Sequence, residues 1–238
     1  RQLPELFRTL EQGGHLKEIE AVGASTRPRA VEGSYMPCFL AGASQGEGLA
    51  STMGVPFFEH SHQQGHLAAA AWSAGRMDLL DAPFLAWHLS GGTTELLYVE
   101  PEGYTLRAEA VGGTSDISAG QLIDRTGVLL GLQFPAGKAL DALYDQGDAC
   151  ENYRVKLNEL TFSLSGIENQ VKKRVDSGEK PGNVARFTLD TVASVVVRAT
   201  QEARKRWPGL PVLCSGGVAS NRQLRAAMSA HCQALFAQ

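Results

Sequence analysis

Phe84-Leu85-Ala86-Trp87-His88-Leu89-Ser90-Gly91-Gly92-Thr93-Thr94 is an apolar run that stops at a serine and two glycines. Its length and bulky residues predict a buried strand over Phe84 to Leu89. Glu95 to Val99 resumes as a second strand and Thr105 to Val111 as a third, a β-meander about a glycine turn. The device returns near the end of the chain, where Pro211-Val212-Leu213-Cys214 runs into Ser215-Gly216-Gly217-Val218-Ala219-Ser220-Asn221. Glycines at such ends permit φ > 0 and bring backbone N–H groups close to a ligand, the arrangement that cradles phosphate. A single Ser-Gly-Gly is explained equally by a hairpin turn. Two of them, each at a strand end and separated by helices, make a nucleotide cleft as strong a reading as a pair of turns.

Helical periodicity fills the space between the two strand ends. Leu122, Ile123 and Leu129 mark a helix within Asp116 to Leu130, and Pro135-Ala136-Gly137-Lys138 opens another that carries Leu140 and Leu143. Further helices are expected over Ser165 to Val175, over Val184 to Trp207, and through Leu224 and Met228. Upstream, Asp81-Ala82-Pro83 marks a boundary that divides the chain into a partial N-terminal lobe, 1–82, and a C-terminal α/β lobe, 83–238. In the first lobe, Leu3, Leu6, Phe7 and Leu10 predict an amphipathic helix over Gln2 to Leu10 with one buried face. Glu18 to Gly23 is a strand candidate, and Ser25-Thr26-Arg27-Pro28-Arg29 an exposed loop. Pro37 to Met53 is rich in small residues that let a helix lie close against a sheet, at the expense of helix propensity.

A short strand, Val55 to Phe58, then delivers the chain to Glu59-His60-Ser61-His62-Gln63-Gln64-Gly65-His66, which leads into the alanine-rich run before Trp72. With a helix starting near His62, the imidazoles of His62 and His66 stand at i and i+4 on one face, where they can share a metal ion. Loop and first-turn polar residues satisfied by backbone and water are the other reading, and the spacing names no third ligand.

With 238 residues, 43% hydrophobic and 20% charged, the chain has ordinary globular composition. A formal charge of -3 means that any nucleic-acid surface must be local. Cys38, Cys150, Cys214 and Cys232 form no CxxC pair, which fits reduced thiols in a cytoplasmic protein, and no apolar run approaches a membrane span.

Six landmarks in order resemble the TsaD/Gcp/YgjD family, the tRNA threonylcarbamoyladenosine synthases once classed as glycoproteases. His62-Gln63-Gln64-Gly65-His66-Leu67 resembles the family's HxEGHL motif, and Leu89-Ser90-Gly91-Gly92-Thr93-Thr94-Glu95-Leu96 its VSGGHTQL loop. Gly120 to Arg125 is similar to GEAFDK, and Phe134-Pro135-Ala136-Gly137 to YPGG. Thr161 to Gly166 is similar to FSFSG, and Gly216 to Arg222 to GGVSANR. The resemblance implies an actin/hexokinase-like, ribonuclease H-like α/β fold of two lobes with ligand in the cleft between them. It assigns the adenylate of threonylcarbamoyl-AMP, or another adenine nucleotide, to His88, Leu89, Ser90, Gly91, Gly92, Asp124, Gly137, Asp141 and Asn221. It assigns one divalent metal, iron or zinc, to His62 and His66, and it implies tRNA as substrate with a second copy or a related-fold protein as partner.

Departures from the pattern are as specific. Nothing within Arg1 to Gly14 resembles the family's opening strand and GIETS-like phosphate loop, and Gln238 precedes any DNG motif carrying the third metal ligand. Gln64, Thr93 and Gln121 stand where the family has glutamate, histidine and glutamate. A divergent or truncated transferase that binds nucleotide but does not complete transfer alone is one expectation; a non-catalytic nucleotide-binding scaffold on the same fold is the alternative. A metallopeptidase is disfavoured, because Gln63 is an amide where HExxH enzymes have the general base.

Overall fold

The computed structural model describes residues 3–148 and 153–238. Cys150 lies outside them; the other three cysteines are free thiols. The chain divides into two compact units, Arg1–His66 and Leu67–Gln238. The division falls inside a helix rather than at the proline expected from sequence.

The first unit holds helix α1 (Leu3–Gln12), a 3-10 turn, strand β1 (Val22–Arg27), helix α2 (Pro37–Met53), strand β2 (Phe57–Ser61) and the start of helix α3 (His62–Ser73). β1 and β2 pair in parallel, with α2 as the crossover between them. Proline opens α2 and Gly54 closes it in the left-handed conformation. The small residues do allow close packing: a Cβ on Gly46 would lie 2.8 Å from the Phe57 ring. Two expectations fail here. The apolar stripe of α1 is not a buried face, since Leu3, Leu6 and Leu10 are exposed; periodicity reports a helix but not what covers it. Ser25 to Arg27 is strand, not loop, and His60 also belongs to a strand, because the β1–β2 ladder extends to Arg27 and Ser61.

The second unit is built on a seven-stranded sheet whose order is β6-β7-β5-β4-β3-β8-β9. β5 (Thr105–Thr114), β4 (Thr94–Glu102), β3 (Phe84–Leu89) and β8 (Val212–Ser215) form its centre and β9 (Leu235–Phe236) one edge, and among these five only β4 runs against the rest. The two-residue strands β6 (Leu157–Asn158) and β7 (Thr161–Phe162) extend the β5 edge. Being central, β3 is buried on both faces, as its apolar sequence requires. Leu85, Trp87 and Leu89 point to a large core shared with α4 (Ala119–Leu129), α5 (Gly137–Tyr144), α6 (Ser165–Asp176), α7 (Pro181–Arg206) and α8 (Arg222–Cys232). Phe84 and Ala86 point to a smaller one with Leu97, Val99 and Leu213. The buried Trp87 indole donates to Thr200 Oγ1 at 2.8 Å, so the largest core side chain leaves no polar atom unsatisfied.

The expected helix from Asp116 begins only at Ala119. Asp116 instead reaches across to the start of α6, where its carboxylate accepts N–H bonds from Leu164 (2.8 Å) and Ser165 (3.3 Å) and a hydroxyl bond from Ser163 (2.5 Å). Partial burial pushes this carboxyl up, but the hydrogen bonds outweigh it and hold the group well below the usual carboxylate range. A depressed folded-state pKa stabilises fully above the unfolded value of about 3.9 and is lost as pH falls toward the folded one. Asp116→Ala is therefore expected to lower stability near neutral pH by about 1 kcal/mol, the usual loss for a helix cap. Thermal melts should show the difference from wild type shrinking by about pH 3; a constant difference would contradict this role.

Candidate nucleotide site

The two Ser-Gly-Gly segments meet at the C-terminal ends of adjacent parallel strands. Trp87 pairs with Cys214 and His88 with Ser215, so both loops leave the sheet at the same level. Ligands of open α/β sheets bind at such strand ends. The first loop is also a hairpin, as the plainer reading had it: Ser90 N–H donates to Thr93 O (2.8 Å) and Thr93 N–H to Ser90 Oγ (3.0 Å). Of the four loop glycines only Gly216 has positive φ, +96°. A Cβ there would lie 2.3 Å from Leu89 O, so the second loop rests its backbone directly on the end of β3. Around Gly91, Gly92 and Gly217 a Cβ would meet nothing within 4 Å, and these segments border open space.

The first loop is fixed from behind by α4. Ser118 is the N-cap of that helix and shares a capping box with Gln121, while its hydroxyl donates to Gly91 O at 2.7 Å. Gly120 follows in the first turn, where a Cβ would approach Ser90 O and Gly91 Cα to 2.5 Å. From α4 the connections continue through the other residues expected at the site. Asp124 Oδ1 accepts the N–H of Ala136 at 2.8 Å, which ties α4 to the start of α5 at Gly137. Asp141, on α5, accepts from Asn221 Nδ2 at 2.9 Å, and Asn221 Oδ1 caps α8 through the N–H groups of Gln223 and Leu224. The second loop leads into Asn221, which closes a ring of contacts back to Leu89. His88 and Leu89 end β3 beneath it, with His88 opposite Glu95 and Ser215 in the ladder.

In the first unit, His62 and His66 occupy the first turns of α3. Their Nε2 atoms are 2.9 Å apart, one donating to the other, on an exposed face. Burial and then the proximity of His62 lower the pKa of His66, and the same causes lower that of His60. The two Nε2 atoms converge on one point of the exposed face, so the pair fits a two-nitrogen anchor. Among the described residues no group of three or more His, Cys, Asp or Glu is placed to hold an ion.

Gln64, counted from sequence as a lost carboxylate, has a structural task. Its Oε1 accepts from Ser61 N–H at 2.6 Å and its own N–H donates to Ser61 Oγ at 3.2 Å, a capping box for α3. Gln121 does the same for α4. The Ser-x-x-Gln spacing of both is a local signal; the packing of Ser118 on Gly91 and the reach of Asp116 are not.

Full-length HypF, in a phosphate- and nucleotide-bound form, superposes with a TM-score of 0.65 over 92% of this chain and 36% of its own, at 15% identity. HypF of T. kodakarensis gives 0.61 over 95% and 39%, also at 15% identity. At that identity the likeness is one of fold, and the fold is actin/hexokinase-like. A family model described as "TsaD: tRNA N6-adenosine threonylcarbamoyltransferase" matches residues 4–238, and the chain belongs to that family. Relatives carrying the name tRNA N6-adenosine threonylcarbamoyltransferase include that of Enterococcus faecalis, 36% identical over 79% of this chain and 55% of its own. That of Streptococcus thermophilus is 31% identical over 90% and 63%. The chain thus spans less than two thirds of the length of these relatives.

Gly120→Ala tests the contact behind the first loop. Alanine gains about 1 kcal/mol of helix propensity, yet its Cβ must displace the Ser90–Gly91 backbone, and overpacking costs about 1–3 kcal/mol. Urea unfolding is expected to show a lower midpoint for the variant; a higher one would mean the loop yields freely.

Proposed function

We propose that the ring at the ends of β3 and β8 binds the adenylate part of an activated threonylcarbamoyl group, and that the chain takes part in its transfer to adenosine in tRNA. The observation that carries this reading is the pairing of two glycine loops with backbone bordering open space, flanked by Asp124, Asp141 and Asn221. Membership of the family supports the choice of substrate.

The residue chemistry suits an adenylate. N–H groups of Gly91, Gly92 and Gly217 can face phosphate oxygens without a side chain in the way. Asp124 uses one oxygen for Ala136 and keeps the other to accept a ribose hydroxyl. Asn221 has committed its carbonyl to α8 and one N–H to Asp141, which leaves one N–H for ligand. In the reaction the adenine amine of tRNA bonds to the carbamoyl carbon and AMP leaves. His62 and His66 would hold a divalent iron or zinc ion, and such an ion when bound supplies Lewis-acid chemistry.

Calorimetry with AMP tests the site. Asp124→Asn can still accept the Ala136 N–H but presents no charge, and it is expected to weaken binding by about 1 kcal/mol, the difference between charged and neutral hydrogen bonds. Asp124→Ala should lose about 1.5–3 kcal/mol. Equal affinity in all three proteins would reduce these motifs to turns and packing.

Metal is tested separately. Protein incubated with Zn2+ or Fe2+ and then desalted is expected to retain a substoichiometric amount by elemental analysis, because two imidazoles leave the remaining positions to water or ligand. The His62→Ala, His66→Ala double variant should retain none. Retention that survives the double substitution would exclude this pair.

A further inference from the structure

Arg222 opens α8 immediately after Asn221, and its guanidinium forms a fork between two acidic residues of the α5 region. Nε donates to Asp141 Oδ2 at 2.9 Å, and one terminal nitrogen donates to both Asp141 O (2.7 Å) and Asp145 Oδ2 (2.9 Å). The three side chains differ in exposure: Asp141 is 16% exposed, Arg222 54% and Asp145 61%. The shielded carboxylate is the one that also holds Asn221. Two negative charges and one positive charge therefore stand together at the edge of the ring.

We infer that Arg222 is a positioning and charge-balancing residue for an anionic nucleotide, fixing the Asp141–Asn221 pair and offsetting a carboxylate that would otherwise repel the ligand's phosphate. This rests on the nucleotide reading above and adds a sign to it. A guanidinium fork orients Asp141 through two bonds of different direction, one to the carboxylate and one to the main chain, which an ammonium cannot reproduce. The charge acts at longer range than the hydrogen bonds and acts on phosphate, not on ribose or base. Removal of Arg222 leaves two carboxylates unopposed, whereas removal of the exposed Asp145 charge leaves the fork on Asp141 and a neutral pair. A helix-start residue of purely structural effect would alter neutral and charged ligands alike.

The test compares AMP with adenosine, by calorimetry at one low salt concentration, in wild type and in Arg222→Gln, Arg222→Lys and Asp145→Asn. Arg222→Gln is expected to weaken AMP about ten-fold and adenosine much less, so that the AMP-to-adenosine affinity ratio falls. Arg222→Lys should restore most of the ratio while both affinities stay below wild type. Asp145→Asn should move the ratio the other way, up by about threefold, and added salt should shrink every one of these differences. In an Asp141→Asn background, Arg222→Gln should have a smaller effect on adenosine than in wild type, because the pair acts as a unit. A ratio unmoved in both Arg222→Gln and Asp145→Asn, with wild type binding both ligands, overturns this inference alone. Wild type that binds neither ligand overturns the nucleotide reading and this inference with it.

Discussion

The candidate site depends on two close backbone approaches. Gly216 lies against the carbonyl of Leu89 at a distance that admits no side chain, and Gly120 does the same to Ser90 and Gly91. These contacts bring a strand end, a hairpin and a helix start to one place without intervening atoms. Cores are close-packed and shift in discrete steps, so a methyl group at either position displaces main chain rather than a rotamer. The polar residues around the loops then serve two purposes at once. Ser118, Asp124, Asp141 and Asn221 each complete a helix end or join two elements, and Asp124 and Asn221 still have donor or acceptor capacity to spare. A site assembled from helix caps inherits the rigidity of the helices.

Much of this was legible in the sequence, for identifiable reasons. The run from Phe84 to Leu89 reads as a buried strand because both of its faces are apolar, and both faces are in fact covered. The repeated Ser-Gly-Gly is visible as a pattern, although geometry requires glycine only at Gly216, through its φ and its contact with Leu89. The six landmarks carried the family and, through it, the fold.

What stayed hidden was either non-local or too short to have a period. Asp116 accepts from a backbone group 48 residues away, and nothing near it announces that partner. β6, β7 and β9 are two residues each, below the length at which alternation can be seen. The stripe on α1 gave the helix correctly and its environment wrongly, since an amphipathic pattern records an apolar face without recording its cover. The compact units divide within α3, and nothing local in its sequence marks that point.

The two glutamines that begin α3 and α4 alter the field of the protein as well as its caps. A glutamate in the third position of a capping box holds the same bond to the N-cap backbone but brings a full negative charge into the first turn. Glutamine keeps the geometry and leaves that turn neutral, so the positive end of the helix dipole is not quenched by its own cap. At α4 this neutral turn stands directly behind the loop of Gly91 and Gly92. The protonation state of a glutamine also does not change with pH. The cap at the start of α4 therefore holds its form and its neutrality through the acid range in which a glutamate in its place would titrate.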